Sequence, residues 1–192
     1  MRAHPLAIAL ANQQFDLLPV HDQYRQRYAS YIAKGLATIP FLKMPAVNNN
    51  SNDKHAWYAF VMQFDSSKAP EGLTRDEFVR ELFDVHGLQE VDIPRSTGLL
   101  NELPLFTHSH EAVPRFGDKR WGKIQPTTEF PNALQFYQCA IKLPVWATES
   151  DMPIVEHYVK TFLVVAREMT QRALRRKNLG PGSVEERVQA RL

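Results

Sequence analysis

An apolar segment near the start of the chain most constrains what this sequence can fold into. Apolar side chains dominate it, and they are Leu6, residues 8–10, Phe15 and residues 17–18. A helix with so many apolar side chains would form an unusually large apolar patch if it faced solvent. We therefore expect this opening helix to pack against another protein surface.

A second helix is expected to begin at Pro19, because proline fits the first turn of a helix. Beyond it, the apolar side chains recur at helical spacing, at Tyr24, Tyr28, Tyr31, Ile32 and Leu36. Gly35 and Pro40 predict the end of this segment. The chain thus opens with a helical arm.

The remainder alternates strand-like and helical segments. Residues 57–64, 88–93 and 141–146 have the composition of strands. Thr74 and Glu77 form a capping box that starts a helix, and Gly87 is expected to end it. A short helix is predicted from Pro131 to Cys139, and Ser150 is expected to cap a long last helix. The apolar stripe of this last helix contains Ile154, Val155, Tyr158, Val159, Phe162, Leu163, Val165 and Ala166.

These elements predict an α+β fold, with a small, mostly antiparallel sheet of about three strands flanked by helices. Residues 1–45 form the helical arm and 46–169 the α+β domain. Residues 170–192 form a basic helical extension and a charged tail. The 192 residues suffice for one well-buried domain.

Composition excludes several classes of function. The formal net charge of +2 offers no argument for nucleic-acid or membrane binding. The single cysteine, Cys139, excludes an internal disulfide and fits a reducing, cytoplasmic setting. Its apolar surroundings favour a buried structural thiol over a nucleophile. His108, His110 and Glu111 lack further ligands at a recognisable spacing, so no metal site is predicted.

Four segments together resemble a known family of enzymes. They are residues 2–11, 57–65 with the following helix over 75–86, 90–106, and 130–146 with the closing helix. In order and spacing they are similar to the C-terminal small domain of the DegT/DnrJ/StrS family of sugar aminotransferases. Residues 90–106 resemble the substrate-side loop of the family's aminocyclitol branch, which aminates inosose-type ring ketones.

The resemblance implies a cofactor, pyridoxal phosphate (PLP), held by a lysine of the large domain that lies upstream of this segment in the family. No lysine here stands in a motif like that one, and Lys142 is interpreted as an edge-strand lysine facing water. PLP chemistry needs such an amine. We therefore expect no transamination by this chain alone, with PLP supplied only through a large-domain partner.

The resemblance also implies site residues. Arg2 and His4 correspond to a segment near the cofactor phosphate and the dimer contact, although fraying of the terminus is an open alternative. Residues Arg95, Ser96, Thr97 and Asn101 correspond to the substrate mouth, and turn-capping roles remain open for the two hydroxyls. Some aminocyclitol relatives carry a histidine near the position of Asn101, so this chain departs from them there. An amide can bind a sugar hydroxyl but cannot relay a proton near neutral pH.

Three functional hypotheses follow. In the first, the chain pairs with a large-domain subunit, or with a full-length relative, to complete an aminotransferase for a keto-sugar or keto-cyclitol. In the second, it is a non-catalytic interaction protein that binds such an enzyme or self-associates through the helical arm. In the third, it is a fragment of a longer enzyme. An independent enzyme is not supported, because no nucleophile–base pair or phosphate loop is recognisable.

Overall fold

The computed structural model describes residues 4–45, 55–93, 98–108 and 126–179. The helices are α1 (Pro5–Leu36), α2 (Arg75–Arg80, continued by a π-helical turn over Glu81–Val85), α3 (Pro104–Thr107), α4 (Pro131–Cys139) and α5 (Met152–Leu179). The strands are β1 (Leu42–Lys43), β2 (Phe60–Phe64) and β3 (Ala140–Leu143). Short 3₁₀ turns cover Leu100–Glu102, Thr127–Glu129 and Glu149–Asp151. Within these residues, no helix combines the length and apolar character needed to cross a bilayer.

The sheet is antiparallel, with β2 between β1 and β3. Leu42 pairs with Phe64, and Phe60 pairs with Leu143. Alternate residues of β2 (Phe60, Met62 and Phe64) are buried, as expected for a strand with one face on the core. The predicted α+β architecture with a three-stranded antiparallel sheet is confirmed.

Helix α1 is one continuous helix, so the predicted boundary at Pro19 is wrong. Proline fixes a helical φ but removes one backbone donor, which frees the carbonyl of Phe15 four residues earlier. That turn is exposed, so water can bind the freed carbonyl, and the helix continues. The second half of α1 is anchored in the core through Tyr28, Ile32 and Leu36.

The strand predicted over residues 88–93 is also wrong. Gly87, with φ +70°, ends the preceding helix as expected. The chain then makes a single bridge to β3, in which Asp92 and Lys142 exchange backbone hydrogen bonds of 3.0 and 2.8 Å. The apolar side chains of this segment, such as Leu88 and Val91, fill the core from a turn. Apolar runs of this length do not distinguish a strand from a buried turn.

Thr148 and Asp151 form a capping box around the 3₁₀ turn Glu149–Asp151 that leads into the last helix α5, so the start of this segment lies at Thr148 and not at Ser150 as predicted. Most of the predicted stripe is buried, including Val155 and Phe162. Ile154 and Leu163, at the margins of the stripe, remain 47% and 37% exposed. The buried face is therefore narrower than the sequence suggested.

Candidate functional site

The first half of α1 projects from the core as an exposed apolar arm, which comprises residues 4–20. Leu6 and Phe15 are 72% and 73% exposed. The other large apolar side chains of the arm are also exposed: Ile8, Leu10, Leu17, Leu18 and Val20. The sequence predicted an apolar helix that packs against a protein surface. The described residues leave the arm uncovered.

The arm is apolar on two opposite sides. At 100° per residue, Leu6, Leu10 and Leu17 fall within about 40° of one another around the helix axis. Ile8 and Phe15 lie on the other side. A polar strip of Asn12, Gln13 and Asp16 lies between these two sides on one flank, and Gln14 lies on the other flank. Because helices that are apolar on most sides are normally enclosed, the arm has the character of a buried helix.

A cleft of about 620 Å³ lies at the foot of the arm, between Leu18 and the segment that carries Trp57 and Tyr58. Tyr58 is 95% exposed beside it. The wall is fixed by Trp57, whose indole Nε1 donates a 3.0 Å hydrogen bond to Gln26 Oε1 on α1. The cleft extends the exposed apolar surface of the arm onto the α+β core.

His4 stands at the start of the arm, where its Nδ1 accepts a 3.2 Å hydrogen bond from the Leu6 backbone N–H. The ring is therefore an N-cap for α1 and is exposed. Arg2 lies outside the described residues. The predicted role of both residues near a cofactor phosphate remains a prediction.

Asn101 lies in the 3₁₀ turn Leu100–Glu102. Its Nδ2 donates a 3.0 Å hydrogen bond to Thr127 Oγ1, and the Thr127 hydroxyl in turn donates to the Glu102 carboxylate. This chain of hydrogen bonds holds the Asn101 amide in place. The other three predicted substrate residues, Arg95, Ser96 and Thr97, lie outside the described residues, so the structure does not place them beside it.

A largely apolar groove of about 350 Å³ flanks Asn101, and we call it the Asn101 groove. Its walls come from Leu99 and Leu100 on one side and from α4 on the other, where Phe136 is 48% exposed. A fixed amide beside aromatic walls can bind one hydroxyl of a ring while the rings stack. The sequence did not predict this groove. In the sequence, the two adjacent aromatic residues Phe136 and Tyr137 on a short helix could have indicated it.

Lys142 and its surroundings do not fit PLP. Its Nζ pairs with the Asp92 carboxylate at 3.2 Å, and Glu90 lines the same depression. A phosphate would be repelled by these acids, and PLP needs several donors at its phosphate and a free amine at its aldehyde. Lys142 is therefore not a candidate for the cofactor lysine.

The remaining residues singled out in the sequence are less informative. Cys139, at the end of α4, is partly exposed rather than buried as predicted, since α4 packs loosely at the surface. The Nδ1 of His108 lies 2.9 Å from the Thr107 hydroxyl. His110 and Glu111 lie outside the described residues. The expectation that these residues form no metal site stays a prediction.

No protein-family model matches the chain. Over 151 residues it is 29% identical to the spore coat polysaccharide biosynthesis protein SpsC of Bacillus subtilis (strain 168), an alignment that covers 79% of this chain and 34% of SpsC. Its fold is similar to part of S. venezuelae DesV, solved in complex with a ketimine intermediate. That match has a TM-score of 0.51 and 19% identity, and covers 86% of this chain and 35% of DesV.

These similarities confirm the resemblance to a small domain of the DegT/DnrJ/StrS type over about 80% of the chain. The chain spans about a third of the length of either protein. At 19% identity, the likeness to DesV bears on the fold alone. Both proteins therefore extend well beyond the part that this chain matches.

Proposed function

We propose that this chain is the small-domain part of a PLP-dependent sugar aminotransferase, and that it works by packing its apolar arm against a large domain that carries the cofactor lysine. The amino acceptor is a keto-sugar or keto-cyclitol. Similarity to a polysaccharide biosynthesis protein supports a sugar substrate. The large domain supplies the cofactor chemistry, and this chain supplies one wall of the substrate site.

The observation that carries this proposal is the exposed apolar arm. Its seven large apolar side chains are between 42% and 73% exposed. Burying them would contribute on the order of 10 kcal/mol before the costs of association are subtracted. Those costs are roughly 4–15 kcal/mol. The gain from the arm is therefore of about the same size as the costs of association. Stable pairing also needs the neighbouring cleft at Trp57 and Tyr58 to be buried.

The Asn101 groove is the best candidate for the substrate wall. Its amide is held by Thr127, so little side-chain entropy is lost when a hydroxyl binds. Asn101 cannot take up a proton near neutral pH, which limits it to orienting the substrate. Arg95, Ser96 and Thr97 are proposed to complete this wall. His4, at the positive end of α1, is proposed to face the cofactor phosphate, and the same role is proposed for Arg2.

The test is to mix the chain with large-domain aminotransferase proteins from the same organism. We expect one of them to co-elute with it and to show the visible absorbance band of PLP bound to a lysine. The matched controls are each protein alone with PLP. Turnover of a keto-sugar only in the mixture would support the proposal. Absence of co-elution and of the band in every mixture would refute it, and co-elution without turnover would favour a non-catalytic interaction protein.

A further inference from the structure

Three potential metal ligands converge where the end of the α2 helix meets α5. A ligand atom from each of Glu81, His86 and Glu168 lies within 4.8 Å of the other two. We propose that these three side chains form a binding site for a divalent transition metal, with Zn²⁺ as the best match. The site is independent of the proposed aminotransferase function and uses none of the residues of the arm or the Asn101 groove.

The π-helical turn over Glu81–Val85 is what brings the first two ligands together. In a regular α-helix, residues five apart differ by about 140° around the axis, so Glu81 and His86 would face different directions. Here the His86 backbone N–H donates to the Glu81 carbonyl at 3.2 Å, which closes the wider turn. Isolated π-turns of this kind occur frequently at functional sites.

His86 provides a second and separate indication. Its Nε2 is shielded from solvent and has no hydrogen-bond partner among the described residues. A buried polar atom without a partner costs free energy. An imidazole nitrogen is also the commonest protein ligand for zinc. A metal ion between the ring and the two carboxylates would satisfy this atom.

The charge balance of the cluster allows a cation to enter. Two carboxylates face one guanidinium, since Arg172 binds Glu81 at 2.7 Å and Glu168 at 3.5 Å. The Arg172 side chain is 52% exposed, so it can turn into solvent while the ion takes its place. Arg172 therefore holds the two carboxylates together and also competes with the metal.

The donor set selects the metal. One imidazole nitrogen and two carboxylate oxygens suit zinc and its first-row neighbours better than Ca²⁺ or Mg²⁺, which prefer oxygen ligands alone. Zinc bonds of about 2.0–2.2 Å require the ligand atoms to close together from their present spacing. Glu168 lies on the surface of α5 and can make this movement by rotamer change. Three protein ligands leave a fourth position for water.

The test is a titration of the full chain with Zn²⁺ by calorimetry, and with Co²⁺ by visible absorbance. We expect one bound ion per chain, the absorbance of a low-symmetry Co²⁺ complex, and a higher Tm with zinc. His86→Ala and Glu168→Gln should each weaken zinc binding by more than about tenfold, as the loss of a ligand requires. Arg172→Ala should tighten it, because the competing cation is removed.

His157→Ala and Glu156→Gln are the matched controls, because they remove the same groups from α5 away from the cluster. Both should bind zinc as the wild type does. Glu168→Gln keeps the test decisive even if His86→Ala fails to fold, because Glu168 is partly exposed. The proposal is overturned if the wild type binds no zinc, or if the control variants lose binding as much as the ligand variants do.

Discussion

Gly35 of α1 packs directly against Val159 of α5. A Cβ added at Gly35 would lie 2.6 Å from Val159 Cγ1, far inside van der Waals contact. Val159 is buried, and a β-branched side chain in a helix has little rotamer freedom to move away. The glycine inside the last turn of α1 therefore permits the contact that anchors the arm to the core.

Gly35→Ala is expected to destabilise the protein. Alanine would favour the helix by about 1 kcal/mol, but overpacking against Val159 costs about 1–3 kcal/mol. We expect a net loss of about 1 kcal/mol in the free energy of unfolding, measured by urea denaturation. Combined with Val159→Ala, the same change should cost less than the two single changes added together. A gain in stability from Gly35→Ala alone would contradict the packing described.

Thr74→Ala should remove the capping box at the start of α2. Thr74 accepts from the Glu77 backbone N–H at 3.2 Å, and Glu77 accepts from the Thr74 N–H at 3.0 Å. Loss of such a cap costs roughly 0.5–2 kcal/mol. The measurement is urea unfolding of the wild type and the variant at neutral pH. Ser150→Ala is the control, since the sequence favoured Ser150 as a cap and the structure does not, and it should change stability less.

The same cap predicts a pH dependence. Hydrogen bonds from the Thr74 backbone and then from its hydroxyl hold the pKa of Glu77 below its ordinary value. A lowered folded-state pKa gives stability above the unfolded value of about 4.3, and this stability is lost as the pH falls through the folded-state pKa. The stability difference between wild type and Glu77→Gln should therefore shrink as the pH falls from about 4.3 through the folded-state pKa of Glu77. A difference that stays constant from neutral pH to acid would contradict the cap.

Pro19→Ala tests whether α1 is continuous. An internal proline costs a helix about 3 kcal/mol, so alanine should strengthen the turns on both sides of residue 19. We expect more helical circular dichroism and slower amide hydrogen exchange over the arm. The anchored half around Tyr28 and Ile32 should be little changed. If the sequence-based boundary at Pro19 were correct, the substitution would leave exchange in the arm unaltered.

Local signals in the sequence predicted those features that depend on neighbouring residues. The capping box at Thr74, the turn at Gly87 and the spacing of Tyr28, Ile32 and Leu36 each depend on residues within one or two turns. The predicted helix break at Pro19 was wrong because the turn around it is exposed, so water can bind the freed carbonyl. The predicted strand over 88–93 was wrong because its apolar side chains fill the core from a turn. A short stretch of sequence does not reveal either condition.

The candidate sites depend on residues that are far apart in the chain. Asn101 could be named from a family resemblance, but its partner Thr127 and the aromatic wall from α4 could not. The proximity of His86 to Glu168 could not be predicted from the sequence either, because it depends on the π-helical turn and on how α5 packs. The apolar character of the arm was predictable, because it depends on consecutive residues, and a partner for the arm stays a prediction.

The most direct test of the central claim is the affinity of arm variants for the large-domain protein that co-elutes with the chain. Phe15→Glu and Leu10→Glu place a charge on either apolar side of the arm, and Asn12→Glu places the same charge on the polar strip. All three should keep the wild-type Tm, because these positions are exposed. We predict that Phe15→Glu and Leu10→Glu each raise the Kd more than about tenfold, because each loses about 1.4 kcal/mol or more of binding free energy. Asn12→Glu should leave the Kd unchanged. Equal affinities for all four proteins, or no binding by any of them, would contradict the account.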